Sequence, residues 1–104
     1  MPTLSVQISR FVSEDFPGFV ECVLIDVSGQ SHLFVEKAPV VSNENLWSTS
    51  TYPCRGEIGC EVEAEWIDGS GREISRVTTE RPWDVQSTSG ESQFVVLRTQ
   101  VVHS

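Results

Sequence analysis

The stretch of sequence that decides the fold runs Ile58-Gly59-Cys60-Glu61-Val62-Glu63-Ala64-Glu65-Trp66-Ile67. Apolar residues occupy its even positions, and glutamates occupy three of its odd positions in succession. Because successive side chains of a strand point to opposite faces of a sheet, this alternation predicts one long β-strand. We expect one face of the strand, which includes Trp66, to lie in the core, and the other face to be acidic.

Five other segments are rich in the β-branched and aromatic residues that favour strands, and they cover residues 3–9, 19–27, 31–37, 72–80 and 93–102. Short polar turns join several of them. Two turns, Asp26-Val27-Ser28-Gly29 and Asp68-Gly69-Ser70-Gly71, have Asp at the first position and Gly at the fourth. This spacing is typical of a type I turn followed by a bulge, so each turn predicts a β-hairpin.

Six strands, turn-rich connections and no long helical period predict an all-β fold. We expect residues 1–104 to form a single antiparallel domain, either a small six-stranded β-barrel or a two-sheet sandwich built around hairpins. The barrel is favoured because a closed sheet has no exposed edge. The polar segment 39–53 allows at most one short helical turn, which Ser42 would cap over residues 43–46.

The charge of the chain restricts its partners. Seven basic residues against 15 acidic ones give a net charge of −8, and the basic residues are scattered along the sequence. A phosphate backbone or an anionic membrane surface would be repelled by that field. A basic protein is therefore the predicted partner. The simpler alternative is that the charge only keeps the domain in solution.

Cysteine usage and the N-terminal sequence indicate a cytoplasmic location. Cys22, Cys54 and Cys60 form an odd set without a framework spacing, as expected where thiols stay reduced. Residues 1–6 contain neither the basic nor the apolar region of a secretory signal. No apolar run approaches the ~20 residues that span a bilayer, so the sequence predicts no membrane insertion.

No motif for catalysis, metal binding or a cofactor is recognisable. Cys54 and Cys60 lack the spacing and the neighbouring histidine of a zinc site, and His32 and His103 are the only imidazoles. A triad that joins His32 to a nucleophile and an Asp is left open, although no catalytic signature supports it. We therefore expect a protein that is not an enzyme and uses no cofactor or metal.

Two sets of residues are candidates for binding. The acidic stripe consists of Glu57, Glu61, Glu63 and Glu65, and the loop aromatics are Trp47, Tyr52 and Trp83. Nothing in the sequence obviously neutralises the stripe, because the turn register sets Arg76 opposite Ala64, on the other face. Exposed aromatics are common anchors of interfaces. The alternatives are that the stripe is a solvated face that blocks edge pairing, and that the aromatics plug a barrel end.

Three blocks of sequence resemble those of small bacterial proteins of similar length: residues 17–22, 34–41 and 80–88. The resemblance implies a bacterial, cytoplasmic setting and no particular activity, and it assigns no site residues.

The leading hypothesis is a non-catalytic interaction domain, such as an immunity or regulatory protein, that binds a basic protein partner. The alternative is a small enzyme or small-molecule binder with a pocket at the barrel mouth, lined by Trp47, Tyr52 and Trp83 with Arg81 and Asp84 nearby. Homo-oligomerisation through a strand edge is left open.

Overall fold

The computed structural model describes residues 1–103 and is built from antiparallel strands. Within these residues the strands are β1 (Thr3–Ser13), β2 (Phe19–Ile25), β3 (Ser31–Lys37), β4 (Cys54–Gly59), β5 (Glu61–Ile67), β6 (Glu73–Thr78), β7 (Gln93–Leu97) and β8 (Val101–Val102). A four-residue helix, α1 (Ala38–Val41), follows β3, and a 3₁₀ turn (Arg98–Gln100) precedes β8. The all-β antiparallel class predicted from the sequence is confirmed.

The strands form two sheets. The larger sheet has the order β3-β2-β1-β4, with β8 also paired to β1, and the smaller sheet has the order β5-β6-β7. Neither sheet closes on itself, so the prediction of a barrel is wrong and the alternative, a sandwich of two sheets, fits. The core lies between the sheets and includes Ile8, Phe34, Ile58 and Val96, each fully buried.

Two segments predicted as single strands pass from one sheet to the other, which raises the number of strands from six to eight. Residues 58–67 divide at Cys60, which lies between β4 of the larger sheet and β5 of the smaller sheet. Cys60 is fully buried, and its backbone N–H donates a hydrogen bond of 3.1 Å to the carbonyl of Pro2. Residues 93–102 divide in the same way at the 3₁₀ turn.

A β-bulge at Glu63 reverses the alternation of β5. Val62 pairs with the buried Val77, but the next paired residue is Ala64, opposite the exposed Arg76. Because a bulge adds one residue to one strand only, the residues after it change faces. Trp66 is therefore 39 % exposed, and its predicted place in the core is wrong.

The predicted helical turn exists but lies earlier in the chain. It spans Ala38–Val41, where Pro39 occupies the first turn, a position that needs no backbone N–H. Ser42 follows the helix and does not begin it, so the expected turn over residues 43–46 is wrong. Among the residues that the structure describes, no helix is long and apolar enough to cross a membrane.

The two predicted hairpin turns have the same geometry. In each, the Gly N–H donates a 3.0 Å hydrogen bond to the Asp carbonyl, from Gly29 to Asp26 and from Gly71 to Asp68. Both glycines have φ of +87°, a conformation that side chains disfavour. Oδ1 of each Asp accepts hydrogen bonds from the backbone N–H groups two and four residues later. The turn chemistry predicted from these residues is thus confirmed.

Candidate functional site

The acidic stripe is divided between the two sheets. Glu57 lies on β4 of the larger sheet, whereas Glu61, Glu63 and Glu65 lie on β5 of the smaller sheet. Since the chain changes sheets at Cys60 and the bulge follows at Glu63, the four carboxylates do not form one uniform row.

Each carboxylate of the stripe faces a cation of the same chain. The pairs are Glu57 with Arg55 at 4.0 Å, Glu61 with Arg81 at 2.8 Å, Glu63 with Arg76 at 3.7 Å and Glu65 with Arg98 at 2.9 Å. Arg76 lies opposite Ala64, as the turn register predicted, yet it reaches Glu63 because the bulge turns that side chain toward it. The expectation that nothing neutralises the stripe is therefore wrong.

A groove of about 910 Å³ opens beside β4, α1 and the loop that follows β6. Residues important to its chemistry are Thr3, Glu36, Glu44, Glu57, Gly59 and Trp83. Its volume lies near the upper end of the ~300–1,000 Å³ typical of clefts that bind ligands. The side chains that line it include three carboxylates, Glu36, Glu44 and Glu57, and two cations, Lys37 and Arg55.

The loop that carries Trp83 is fixed on both sides of the indole. The N–H of Val85 donates to the carbonyl of Thr79 at 2.9 Å, and the Thr79 hydroxyl donates to the carbonyl of Val85 at 2.6 Å. Asp84 has φ of +52°, and its N–H donates to the carbonyl of Glu80. Val85 is buried in the core, whereas Trp83 remains 61 % exposed. The chain therefore holds a large aromatic side chain in solvent on an anchored backbone.

Gly59 forms the surface on which Trp83 lies. A Cβ atom on Gly59 would be 2.8 Å from Cδ1 of Trp83, closer than carbon atoms approach without displacement. Only a residue without a side chain admits the pyrrole edge of the indole at this position. Since this edge contacts Gly59, the rest of the ring system projects beyond the contact.

The carboxylates of the groove have different environments. Glu57 accepts a hydrogen bond from the Thr3 hydroxyl, and its carboxylate lies 4.0 Å from the Arg55 guanidinium. Glu36, at the end of β3, is half-buried, and loss of solvent raises its pKa although the charge of Lys37 opposes this effect. A cation that entered the groove would offset the free-energy cost of keeping the half-buried Glu36 ionised.

Trp47 and Tyr52 lie apart from this groove. Trp47 is 65 % exposed and lines a second, smaller groove of about 360 Å³ together with Phe16 and Leu46. Tyr52 is half-buried against the core, and its hydroxyl donates a 2.8 Å hydrogen bond to the carbonyl of Trp47. The three loop aromatics predicted as candidates therefore do not form one pocket, and Tyr52 supports Trp47.

Sequence reasoning missed Phe16. Residues 14–18, Glu-Asp-Phe-Pro-Gly, predict a turn, and an aromatic residue inside a tight polar turn has few neighbours to cover it. Phe16 is in fact almost fully exposed. An aromatic residue flanked by turn formers was the available signal.

His32 is held between two carboxylates. Its Nε2 lies 2.8 Å from Asp26, and its Nδ1 lies 3.6 Å from Glu91, while the ring packs edge-to-face on Phe94. Both ring nitrogens thus face acidic groups and neither faces a hydroxyl or thiol nucleophile. Within residues 1–103, no group of three or more His, Cys, Asp or Glu side chains is arranged to hold a metal ion.

Comparisons of the chain with protein-family models, with curated proteins and with solved structures find no match.

Proposed function

We propose that this domain is a non-catalytic interaction protein, of immunity or regulatory type, that binds a basic segment of a protein partner in the groove beside Trp83. The observation that carries the proposal is the exposed indole of Trp83, fixed on Gly59 in a groove that Glu57 also lines. The free thiols Cys22, Cys54 and Cys60 support a reducing compartment, and we place the interaction in the cytoplasm.

An exposed indole beside carboxylates is suited to a Lys or Arg side chain. A cation within about 6 Å of a Trp ring centre gains roughly 0.5–1 kcal/mol when exposed and about 2 kcal/mol when desolvated. Trp83 supplies the ring, and Glu57 and Glu36 supply negative charge in the same groove. Because the loop is already anchored, binding would cost little ordering of the protein.

The net charge of the chain supports the same partner. The electrostatic field of a chain with a net charge of −8 steers a basic segment toward the domain and repels nucleic acid and anionic lipid surfaces. The three carboxylates of the stripe that lie on β5, Glu61, Glu63 and Glu65, contribute to that field, although they are already paired with arginines. We therefore assign contact to the groove, which includes Glu57 of the stripe, and only long-range steering to Glu61, Glu63 and Glu65.

The test is a ¹⁵N–¹H NMR titration with a peptide of sequence Gly-Ser-Arg-Lys-Arg-Ser-Gly, beside a matched peptide in which glutamine replaces the three cations. The basic peptide should shift the Trp83 indole and Gly59 amide signals. Affinity should fall about 2- to 30-fold in Trp83→Ala, the range that corresponds to the loss of one cation–π contact, and should also fall in Glu57→Gln. Trp66→Ala is the control, because Trp66 is also exposed and lines neither this groove nor the one beside Trp47.

Equal binding of the glutamine peptide, or unchanged affinity in both groove variants, would refute the proposal. The small-molecule alternative predicts a different result, since the groove has the volume of a ligand cleft. In that case free arginine amide or lysine amide would bind as tightly as the peptide.

A further inference from the structure

The second groove carries the most exposed aromatic pair of the molecule. Phe16 and Trp47 are 97 % and 65 % exposed, and the buried Leu46 lines the same groove. Large exposed aromatics that border a concave apolar surface are typical of interaction sites. Glu44 is the only charged residue among the described residues that line it.

The two aromatic residues belong to segments that are tied together. The hydroxyl of Ser48, next to Trp47, donates a 2.8 Å hydrogen bond to Glu14 in the turn that carries Phe16. The backbone of Trp47 is fixed in addition by Ser50 and Tyr52. The backbone on each side of this groove is therefore fixed before any partner arrives.

The second groove adjoins the groove beside Trp83. Pro39, Ser42, Asn43 and Glu44 line both of them. This shared wall is the end of α1 and the residues after it, and the Ser42 hydroxyl fixes it by accepting a hydrogen bond from the Glu44 N–H at 3.0 Å. One extended chain could therefore pass from Trp83 across the shared wall to Phe16 and Trp47.

We propose that the two grooves together bind one extended segment of the basic partner, with a Lys or Arg side chain at Trp83 and a large apolar side chain between Phe16 and Trp47. The inference rests on the proposed function of the first groove. Glu44 in the shared wall and Glu14 beside Phe16 complement a basic segment along this path. A second copy of this chain would bring another −8 charge to the same surface, which disfavours it as the occupant.

Contact at both grooves should strengthen binding beyond what either groove provides. Burial of one large apolar side chain corresponds to roughly tenfold or more in affinity. Because the apolar side chain is linked to the cation by a short length of chain, its binding is an intramolecular step after the first contact. This gain in affinity should depend on Phe16 and Trp47, and the contribution of Trp83 to affinity should be unchanged.

The experiment selects displayed random 12-residue peptides on the wild-type domain and compares the enriched peptide with two variants. One variant replaces its basic residue by Gln, and the other replaces its large apolar residue by Ser. Each peptide is titrated by fluorescence anisotropy against wild type, Trp83→Ala and the double variant Phe16→Ser with Trp47→Ser. Circular dichroism checks the fold of the variants, which alter only exposed side chains.

Loss of the apolar residue should cost at least tenfold on wild type and almost nothing on the Phe16→Ser, Trp47→Ser variant. An equal cost on both proteins would overturn the inference, while the proposed function would stand if the basic residue still required Trp83. Enriched peptides without basic residues would overturn both. Dimerisation of the wild type that the double variant abolishes would assign the apolar groove to a second copy of the chain and overturn the inference.

Discussion

The pyrrole edge of Trp83 fills the space that a side chain at Gly59 would occupy, so that a methyl group on Gly59 would stand 2.9 Å from the indole Nε1 and 3.2 Å from Cδ of Pro82. Gly59→Ala should therefore displace Trp83 and weaken binding of the basic peptide several-fold, as we also expect for Trp83→Ala. The free energy of unfolding should fall by about 1 kcal/mol, the lower end of the cost of overpacking, because the displaced indole is exposed.

Gly69→Ala is the matched control, since a Cβ atom at Gly69 meets no atom within 4 Å. NMR titration and urea unfolding of both variants test the prediction. Retention of the Trp83 indole shift and of peptide affinity in Gly59→Ala would show that the position of the indole does not matter for binding.

Glu36→Gln should stabilise the domain at pH 7 while weakening the binding of a basic peptide. Burial raises the pKa of Glu36, so the folded protein favours its neutral form and is penalised once the carboxyl ionises. Stability linked to this group is fully present below its ordinary pKa and is lost as the pH rises through the raised value. The higher free energy of unfolding of Glu36→Gln relative to wild type should therefore disappear below about pH 4, where the Glu36 carboxyl of the wild type is protonated.

Urea unfolding from pH 3 to 8 measures this difference, and Glu73→Gln serves as an exposed control on β6. A Glu36→Gln protein less stable than wild type at pH 7 would contradict the account of Glu36 as a charge held for a ligand.

Asp26→Ala should cost more stability than Asp68→Ala, although the two turns have the same backbone geometry. Burial opposes the charge of Asp26, but hydrogen bonds from Ser28, His32 and Gln30 outweigh it and lower its pKa to about 2. Loss of the Asp26 carboxylate leaves the buried His32 without its 2.8 Å partner, and such a loss typically costs about 1–3 kcal/mol.

The stability from Asp26 is present above about pH 4 and is lost as the pH falls toward 2, because the folded pKa is depressed. Thermal unfolding of both variants at pH 7 and near pH 2.5 tests the prediction. If the two alanine variants have the same Tm at pH 7, the contact between Asp26 and His32 contributes nothing to stability.

The three thiols should react at different rates in the folded protein. Burial raises the pKa of Cys22 to about 12 and that of Cys60 to about 11, with the charge of Glu36 adding to the effect at Cys22. Cys54 is only half-buried, so it should be alkylated first at pH 8. Mass spectrometry over time should find one early label and, after denaturation in urea, three; fewer than three would indicate a disulfide.

Local chemistry made the hairpins predictable. The Asp and Gly spacing that identified the turns at 26–29 and 68–71 acts through hydrogen bonds within five residues, and the register of Ala64 with Arg76 followed from the second turn. Such signals need no knowledge of distant parts of the chain.

The sandwich and the site depend on distant contacts that the alternation pattern does not contain. An uninterrupted period of two at residues 58–67 hides both the change of sheet at Cys60 and the bulge at Glu63, and the bulge moves Trp66 to the outer face. The pairing of Glu61 with Arg81 joins residues 20 apart, and the groove brings β3, β4 and the Trp83 loop together. Charge and aromatic content indicated candidates, but only the folded chain separates Trp83 from Trp47.

The turn at Asp68–Arg72 also has a practical consequence. It lies beside the turn at Asp26–Gly29, because Arg72 Nη1 is 3.5 Å from the carbonyl of Val27. The helix α1 lies at the opposite end of β3, and the length of that strand separates α1 from the Asp26–Gly29 turn by about 20 Å. Gly69 and Ser70 are exposed, and no neighbouring atom crowds Gly69. A cysteine or a short tag placed there would attach the domain to a sensor chip or resin in a defined orientation, with Trp83 and Phe16 directed toward the solution.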